Sequence, residues 1–530
     1  MGVAIGSLKG SKLRSFLTLL GINDLSGTAI ATMEAMNRIL LLFTLTIPLL
    51  SQSLQDFEKR VTEFTLSNGL HFIVMERHEA PVVSFHLHVD SGAANDPANA
   101  SSTAHMFEHM IGKGTTSLGT KNWPEEEKAL AGVEAAYDKL EEERVKGRRA
   151  DKAQIERLEA ALKIAIEKAN SFVDQNAFTR EIERNGGVGF NASTALDYTN
   201  YFYSLPSNRT ELWFALQSEW TAKPVFREFY KERDVVREER RMRVESSAQG
   251  KLIEAMLTTS FSAHPYRNFI GWASDIENLR AKGGAEFHKT YYVPGNMCIG
   301  IVGDVNPAEI KRMAEKYFGP IPAAPLPPRL VTKEPPQAGG KRVAVDDSSQ
   351  PFVMIAYHRP EGTHADDAAL DVLNGVLSSG RTGILYKEMV RDKKLALGTQ
   401  TIPQFPGGKY PNLFLYYGVP NTGKTAGDLE KAWDEIIGRI QKDGVDEATV
   451  KRVKVKTRAG LLRALDSNSG LAGAMASTWM IYGDWRKMFT DLEELEKVTP
   501  ADVQRVAKTY LTANNKTVGV TVQPKKEEAK

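Results

Sequence analysis

Apolar positions along the chain follow two rhythms, and the points where one yields to the other outline its elements. Residues 60–66 and 70–76 are runs rich in β-formers, joined by Ser67-Asn68-Gly69, where Asn-Gly predicts the positive φ angles of a tight hairpin. Residues 82–89 alternate as a further strand. The stretch 101–110 then reads as a helix, with Ser101 or Ser102 as N-cap and Gly112 and Gly114 beyond its end. From 125 to 172 the period is helical: Leu130, Val133, Tyr137 and Leu140 share a face, Lys146-Gly147-Arg148-Arg149 interrupts, and Ile155, Leu158, Leu162 and Ile166 resume behind a cap at Asp151. This predicts a charged helical hairpin over about 123–172, read as a solvated excursion with a docking arm as the alternative.

Prolines 320, 322, 325, 327, 328, 335 and 336 exclude a regular helix or central strand over 319–342, which reads as an extended linker. Two domains follow, 57–320 and 343–523, with a charged tail at 524–530. Their ends look related. Lys289-Thr290-Tyr291, Asn296 and Gly300 match Lys508-Thr509-Tyr510, Asn515 and Gly519 at one constant offset, which implies duplication of one α+β unit.

Composition narrows the classes. With 530 residues, 42% hydrophobic and 25% charged, the chain can bury more than one core, and a net charge of +2 gives no global field favouring nucleic acid. The single cysteine, Cys298, sits in an apolar run and reads as a buried strand residue; it excludes an internal disulfide framework or a multi-cysteine metal site. Met36-Asn37-Arg38, the apolar run 39–50 and Ser51-Gln52-Ser53 have the layout of a secretory leader over 36–53, cut near Ser53, which predicts export to the periplasm, with an uncleaved anchor as the alternative. Residues 1–35 upstream of it read as an extended n-region or a start codon set too early.

The sharpest chemical feature is His105-Met106-Phe107-Glu108-His109. Positions i and i+4 share a helix face, so both imidazoles can meet one metal ion with Glu108 beside them. Zinc suits two neutral imidazoles and a carboxylate with a fourth position open to water, and an adjacent glutamate can deprotonate that water for attack on an amide. A charge-dense helix over 231–240 carries Glu232 and Glu239, two turns apart on one face, with Glu238 rotated away.

These residues resemble the pitrilysin and insulinase family of zinc metallopeptidases, and the bacterial relatives of the mitochondrial processing peptidase in particular. The resemblance runs from about Arg60 to Val522 through His105 to His109, Gly112-Lys113-Gly114-Thr115, Gly186-Gly187, Asn191-Ala192-Ser193-Thr194, Thr199, Tyr201, Glu232 and Glu239. It implies an α+β fold of two homologous domains, each an antiparallel-rich sheet with helices packed on it, the second domain inactive. It implies one zinc per chain on His105, His109 and Glu239, with Glu108 as general base and Glu232 as a supporting acid. It further implies that Asn191, Ala192, Ser193 and Thr194 form an edge strand that pairs with peptide substrate. Arg391 falls where relatives carry a substrate-holding arginine, whereas Gly398 stands where they carry a tyrosine. The longer spacing between His109 and Glu239 is accounted for by the helical hairpin. The function implied is endopeptidase action on short or unfolded polypeptides, by a chain paired with itself or with a related subunit. A non-catalytic structural subunit is the alternative.

Overall fold

The computed structural model describes residues 57–523; the leader read at 36–53, the segment before it and the tail at 524–530 lie outside them. The chain divides at Thr62: residues 57–62 supply a helical turn and the first residues of a strand, and the remainder belongs to the unit Glu63–Lys530. That unit holds two sheets and two hydrophobic cores.

The first sheet comprises β1 (Val61–Thr65), β2 (His71–Glu76), β3 (Val82–Val89), β4 (Val188–Thr194), β5 (Thr199–Pro206) and β6 (Met297–Gly303), in the order β1-β2-β6-β3-β5-β4. The second comprises β7 (Lys341–Asp346), β8 (Val353–Arg359), β9 (Ala396–Phe405), β10 (Asn412–Pro420) and β11 (Lys516–Val522), in the order β7-β11-β8-β10-β9. In each, the last strand lies between a parallel neighbour, β2 or β7, and an antiparallel one, β3 or β8. β3 with β5, β5 with β4, β8 with β10 and β10 with β9 pair antiparallel. The molecule is thus α+β, one mostly antiparallel topology used twice.

The helices used below are α1 (Thr103–Glu108), α2 (Trp123–Arg144), α3 (Lys152–Asn170), α4 (Phe229–Arg240), α5 (Ala248–Ser260) and α6 (Asn468–Tyr482). Two of them cross over. α6, from the second half, packs on β3 and β6 of the first sheet, while α5 from the first half packs on β7 and β11 of the second. The repeated glycines make room for them: a Cβ on Gly300 would lie 2.2 Å from the Ala472 carbonyl oxygen of α6, and one on Gly519 would lie 2.4 Å from the Met256 sulfur of α5. The repeated asparagines also act alike. Asn296 Nδ2 donates to the Tyr291 carbonyl at 2.9 Å, and Asn515 Nδ2 to the Tyr510 carbonyl at 2.8 Å.

Three local expectations change. Gly69 alone takes a positive φ (+96°) in the β1–β2 turn, while the Asn68 side chain accepts from Leu70 N at 3.2 Å and donates to the carbonyls of Phe318 and Ile321. α1 is shorter than the predicted 101–110, and neither serine caps it through its side chain. The hairpin over 123–172 forms as α2 and α3, with Asp151 accepting from Ala153 N and Gln154 N as its cap, yet it is not a purely solvated excursion: Val133, Tyr137 and Leu140 of α2 join the first core.

β3 is buried on both faces. Val83, Phe85, Leu87 and Val89 enter the first core, where Phe85 stacks on Trp213 at 4.6 Å, while Ser84, His86 and His88 lie on the face that α6 covers. His86 bonds Ser469 of α6 through Nε2 at 2.8 Å and stacks on Phe202, and His88 lies against Tyr198. Burial lowers both imidazoles, His86 to about 4 and His88 to about 3, with His86 adding to the effect on His88. The unfolded chain therefore takes up these protons first, near pH 6.5, and stability is lost as pH falls below that value. Between pH 7 and 5 each imidazole is expected to remove roughly 2 kcal/mol. Denaturant midpoints at the two pH values should move closer together in His88→Gln than in the wild type; equal spacing would contradict this origin for the acid sensitivity.

Candidate metal centre

α1 is anchored from outside its own sequence. The Asp96 carboxylate accepts from the backbone N–H of Ser102 at 2.6 Å and of Ala104 at 2.8 Å, serving the orphan donors of the first turn. Ser102 itself sits in the left-handed region (φ 76°), and Ser101 turns away to Asp275, its Oγ 2.7 Å from Oδ2. Burial pushes the Asp96 carboxyl up to about 7 against these stabilising hydrogen bonds.

The helix ends at Glu108, but His109 N still meets the His105 carbonyl at 3.3 Å, so the i, i+4 relation holds. The two imidazoles are 4.9 Å apart between centroids and nearly perpendicular. α4 runs alongside α1 and presents Glu232 and Glu239 to it, whereas Glu238 turns to solvent and pairs with Arg241. His105 Nε2 lies 3.7 Å from Glu239 Oε2, and His109 Nε2 lies 3.8 Å from Glu239 Oε1. His105, His109 and Glu239 are the group of metal-ligating side chains found among the described residues whose donor atoms all fall within 4.8 Å of one another.

Those separations exceed hydrogen-bond length and are near the roughly 3.4 Å edge of a tetrahedron of ligands about zinc. Glu239 Oε2 is buried without a hydrogen-bond partner, although Arg243 Nη2 stands 3.3 Å away. A carboxylate whose two oxygens face two imidazole nitrogens fits a divalent cation, and the two-nitrogen, one-oxygen donor set fits zinc. His109 Nδ1 is 3.3 Å from Glu232 Oε2, and with its proton there the Nε2 lone pair is free for a metal. Lys113 Nζ completes the support, donating to Glu232 at 2.6 Å and Glu228 at 3.1 Å.

Electrostatics follow from this packing. Burial opposes charge on Glu232, but the hydrogen bonds from His109 and Lys113 and the Lys113 charge outweigh it and hold its carboxyl at about 2. Burial, with His109 and Arg243 nearby, lowers His105 to about 3 and keeps it neutral. For His109 burial works downward too, yet Glu232, Glu108 and Glu239 together raise it. Burial raises Glu108, offset in part by a hydrogen bond from Thr194 and by His109.

Thr194 belongs to β4, the edge strand of the first sheet, so Glu108 sits against the end of an open sheet edge. Asn191 Oδ1 accepts from Ala192 N at 2.9 Å, and Ser193 Oγ donates to Asn200 Oδ1 at 2.5 Å. Arg391 is placed differently: it lies in a π-helical turn (Tyr386–Asp392) of the second half, exposed, with its guanidinium on Asp392. An added Cβ at Gly398 on β9 would meet nothing within 4 Å. Asp96 escaped the sequence reading, and Lys113 entered it only within Gly112-Lys113-Gly114-Thr115, with no role of its own. Lys113 carried a faint signal, a lone cation four residues beyond His109; Asp96 carried none, since its role depends on the approach of a loop.

Two family models match the chain: insulinase (peptidase family M16) over residues 163–271, and the peptidase M16 inactive domain over 285–456. The chain belongs to the insulinase (M16) family. The insulinase match contains Glu232 and Glu239, and the inactive-domain match includes most of the second half. This M16 chain is 27% identical to the zinc protease PqqE of Helicobacter pylori over 476 residues, covering 87% of this chain and 92% of that protein. It is 23% identical to a probable mitochondrial-processing peptidase subunit beta of Arabidopsis thaliana, covering 86% and 76%. Among solved structures, a protease from Helicobacter pylori matches with a TM-score of 0.72 at 24% identity, over 87% of this chain and 99% of that one. Escherichia coli PqqL matches with a TM-score of 0.63 at 16% identity, over 88% of this chain but 48% of PqqL.

Proposed function

We propose that the chain is a zinc-dependent endopeptidase that hydrolyses peptide bonds in short or unfolded polypeptides. The observation that carries this reading is the convergence of His105 Nε2 and His109 Nε2 on the half-buried Glu239 carboxylate, with Glu108 on the same helix against an open strand edge. Zinc, held by His105, His109 and Glu239, would supply a Lewis acid and lower the pKa of water at the site.

The chain's own groups do the rest. An extended substrate adds along β4 at Asn191 to Thr194, read through its main chain, which favours unfolded polypeptide over folded. Glu108 takes a proton from water as its oxygen adds to the scissile carbonyl carbon, then returns that proton to the amine nitrogen as the C–N bond breaks. Glu232 keeps His109 in one tautomer and orientation while this happens.

The same proposal includes one zinc per chain, export after cleavage near Ser53, and pairing with a second unit of this kind. Pairing is favoured by PqqL, of which this chain matches about half, and by the relative described as one subunit of a processing peptidase. The test is cleavage of an unfolded polypeptide by chain purified from Leu54 onward, with the same polypeptide in its folded form as comparison. Cleavage of the unfolded form alone, abolished by a chelator and restored by zinc, is the expected result. No cleavage with zinc bound, alone or with a related chain, would favour a structural subunit.

A further inference from the structure

Arg227 is one residue before the N-cap of α4, and its guanidinium is enclosed, 1% exposed beside a Glu126 side chain that is 0% exposed. All five of its N–H groups are used. Nε donates to Glu126 Oε1 at 2.7 Å and Nη2 to Glu126 Oε2 at 3.3 Å. Nη1 donates to the carbonyls of Lys113 and Leu118 at 2.6 and 2.9 Å, and Nη2 to that of Thr115 at 2.8 Å. Gly114 and Gly119 leave space for it, since a Cβ on either would lie 3.1 or 2.8 Å from Nη1.

One side chain at the foot of α4 therefore ties together the loop that follows α1 and the first helix of the two-helix segment. Further contacts hold the first helix of that segment. Tyr230 of α4 donates its hydroxyl to Glu134 of α2 at 2.6 Å and stacks on Tyr137 at 5.4 Å, and Arg280 bonds both Glu134 and Asp138. From the tied loop, Lys113 reaches Glu232, and Glu232 reaches His109.

We propose that the α2–α3 segment is a positioning strut for the metal centre, acting through Glu126 and Arg227 to set the registry of α1 against α4. Without it, Arg227 loses the Glu126 carboxylate that fixes its guanidinium, so the loop at 113–118 is no longer held in one register against the start of α4, and Lys113 no longer holds Glu232 under His109. Arg227 and Glu126 are positioning residues that touch neither metal nor substrate. The inference rests on the metal-centre reading above.

The test is the zinc Kd of the full chain, measured by competition with a chromophoric chelator and so independent of turnover. Arg227→Lys keeps the charge but loses the planar fork, and Glu126→Gln keeps shape and one acceptor. Ile436→Ala, in the second core, serves as a control that destabilises the fold elsewhere. Arg227→Lys is expected to raise the Kd about tenfold, in the range of lost outer-sphere support, with a smaller rise in Glu126→Gln and none in Ile436→Ala. Should Arg227→Lys fail to fold, Glu126→Gln decides. A wild-type Kd in folded variants would overturn the strut alone, as would an equal rise in Ile436→Ala; absence of zinc binding by the wild type would overturn the metal centre and the strut with it.

Discussion

Glu108→Gln is expected to lower kcat/KM for an unstructured peptide by about a thousandfold while zinc stays bound, within the range for loss of a positioned general base. The substitution keeps the shape of the side chain and its place beside Thr194, so the ligand geometry of His105 and His109 on the same short helix is left intact. What it removes is the capacity to accept and return a proton. The loss should fall on kcat, with KM nearly unchanged, because in the proposed mechanism the β4 edge, and not Glu108, would grip the substrate. Steady-state kinetics at matched zinc content check this, and a fall of less than about tenfold would assign the proton transfer to another group.

Glu239→Gln should act at the preceding level, raising the zinc Kd by more than about 100-fold, beyond the 10–100-fold typical of outer partners. Glu239 faces both imidazoles at 3.7 and 3.8 Å, and apart from the Arg243 guanidinium at 3.3 Å its Oε2 has no hydrogen-bond partner, an arrangement suited to a cation held between the carboxylate and the two rings. Glu238→Gln is the contrast. Its carboxylate pairs with Arg241 in solvent, and the zinc Kd should not move. Equal affinities in the two variants, measured by chelator competition, would remove Glu239 from the ligand set.

Parts of this arrangement were legible in the chain because they are local. Two histidines four apart on a helix, and two glutamates two turns apart, announce shared faces through the helical period alone. The approach of α1 to α4 is not local, and only the family resemblance linked the two segments. Residues whose work is tertiary stayed hidden: Asp96 caps α1 from a loop, and Arg227 spends all its donors on segments more than a hundred residues away.

The charged hairpin misled for a related reason. Acidic residues on a helix usually mark a solvated face, yet Glu126 is wholly buried because a fully engaged guanidinium meets it. Conversely, the matched glycines and asparagines at one offset proved informative beyond duplication. Gly300 and Gly519 admit the helix that each half receives from the other, and so carry a tertiary requirement in a local sequence match. His86 and His88 show the same dependence, polar residues on a strand face that a distant helix covers.

The central claim, that one zinc on His105, His109 and Glu239 equips this chain to cut peptide, is tested most directly by titrating zinc into the chelated chain while following cleavage of an unfolded polypeptide. The account predicts that activity is absent without metal, rises in proportion to added zinc and stops rising at one equivalent per chain. Cleavage that persists in the chelated chain, or that shows no break at one equivalent, would contradict it.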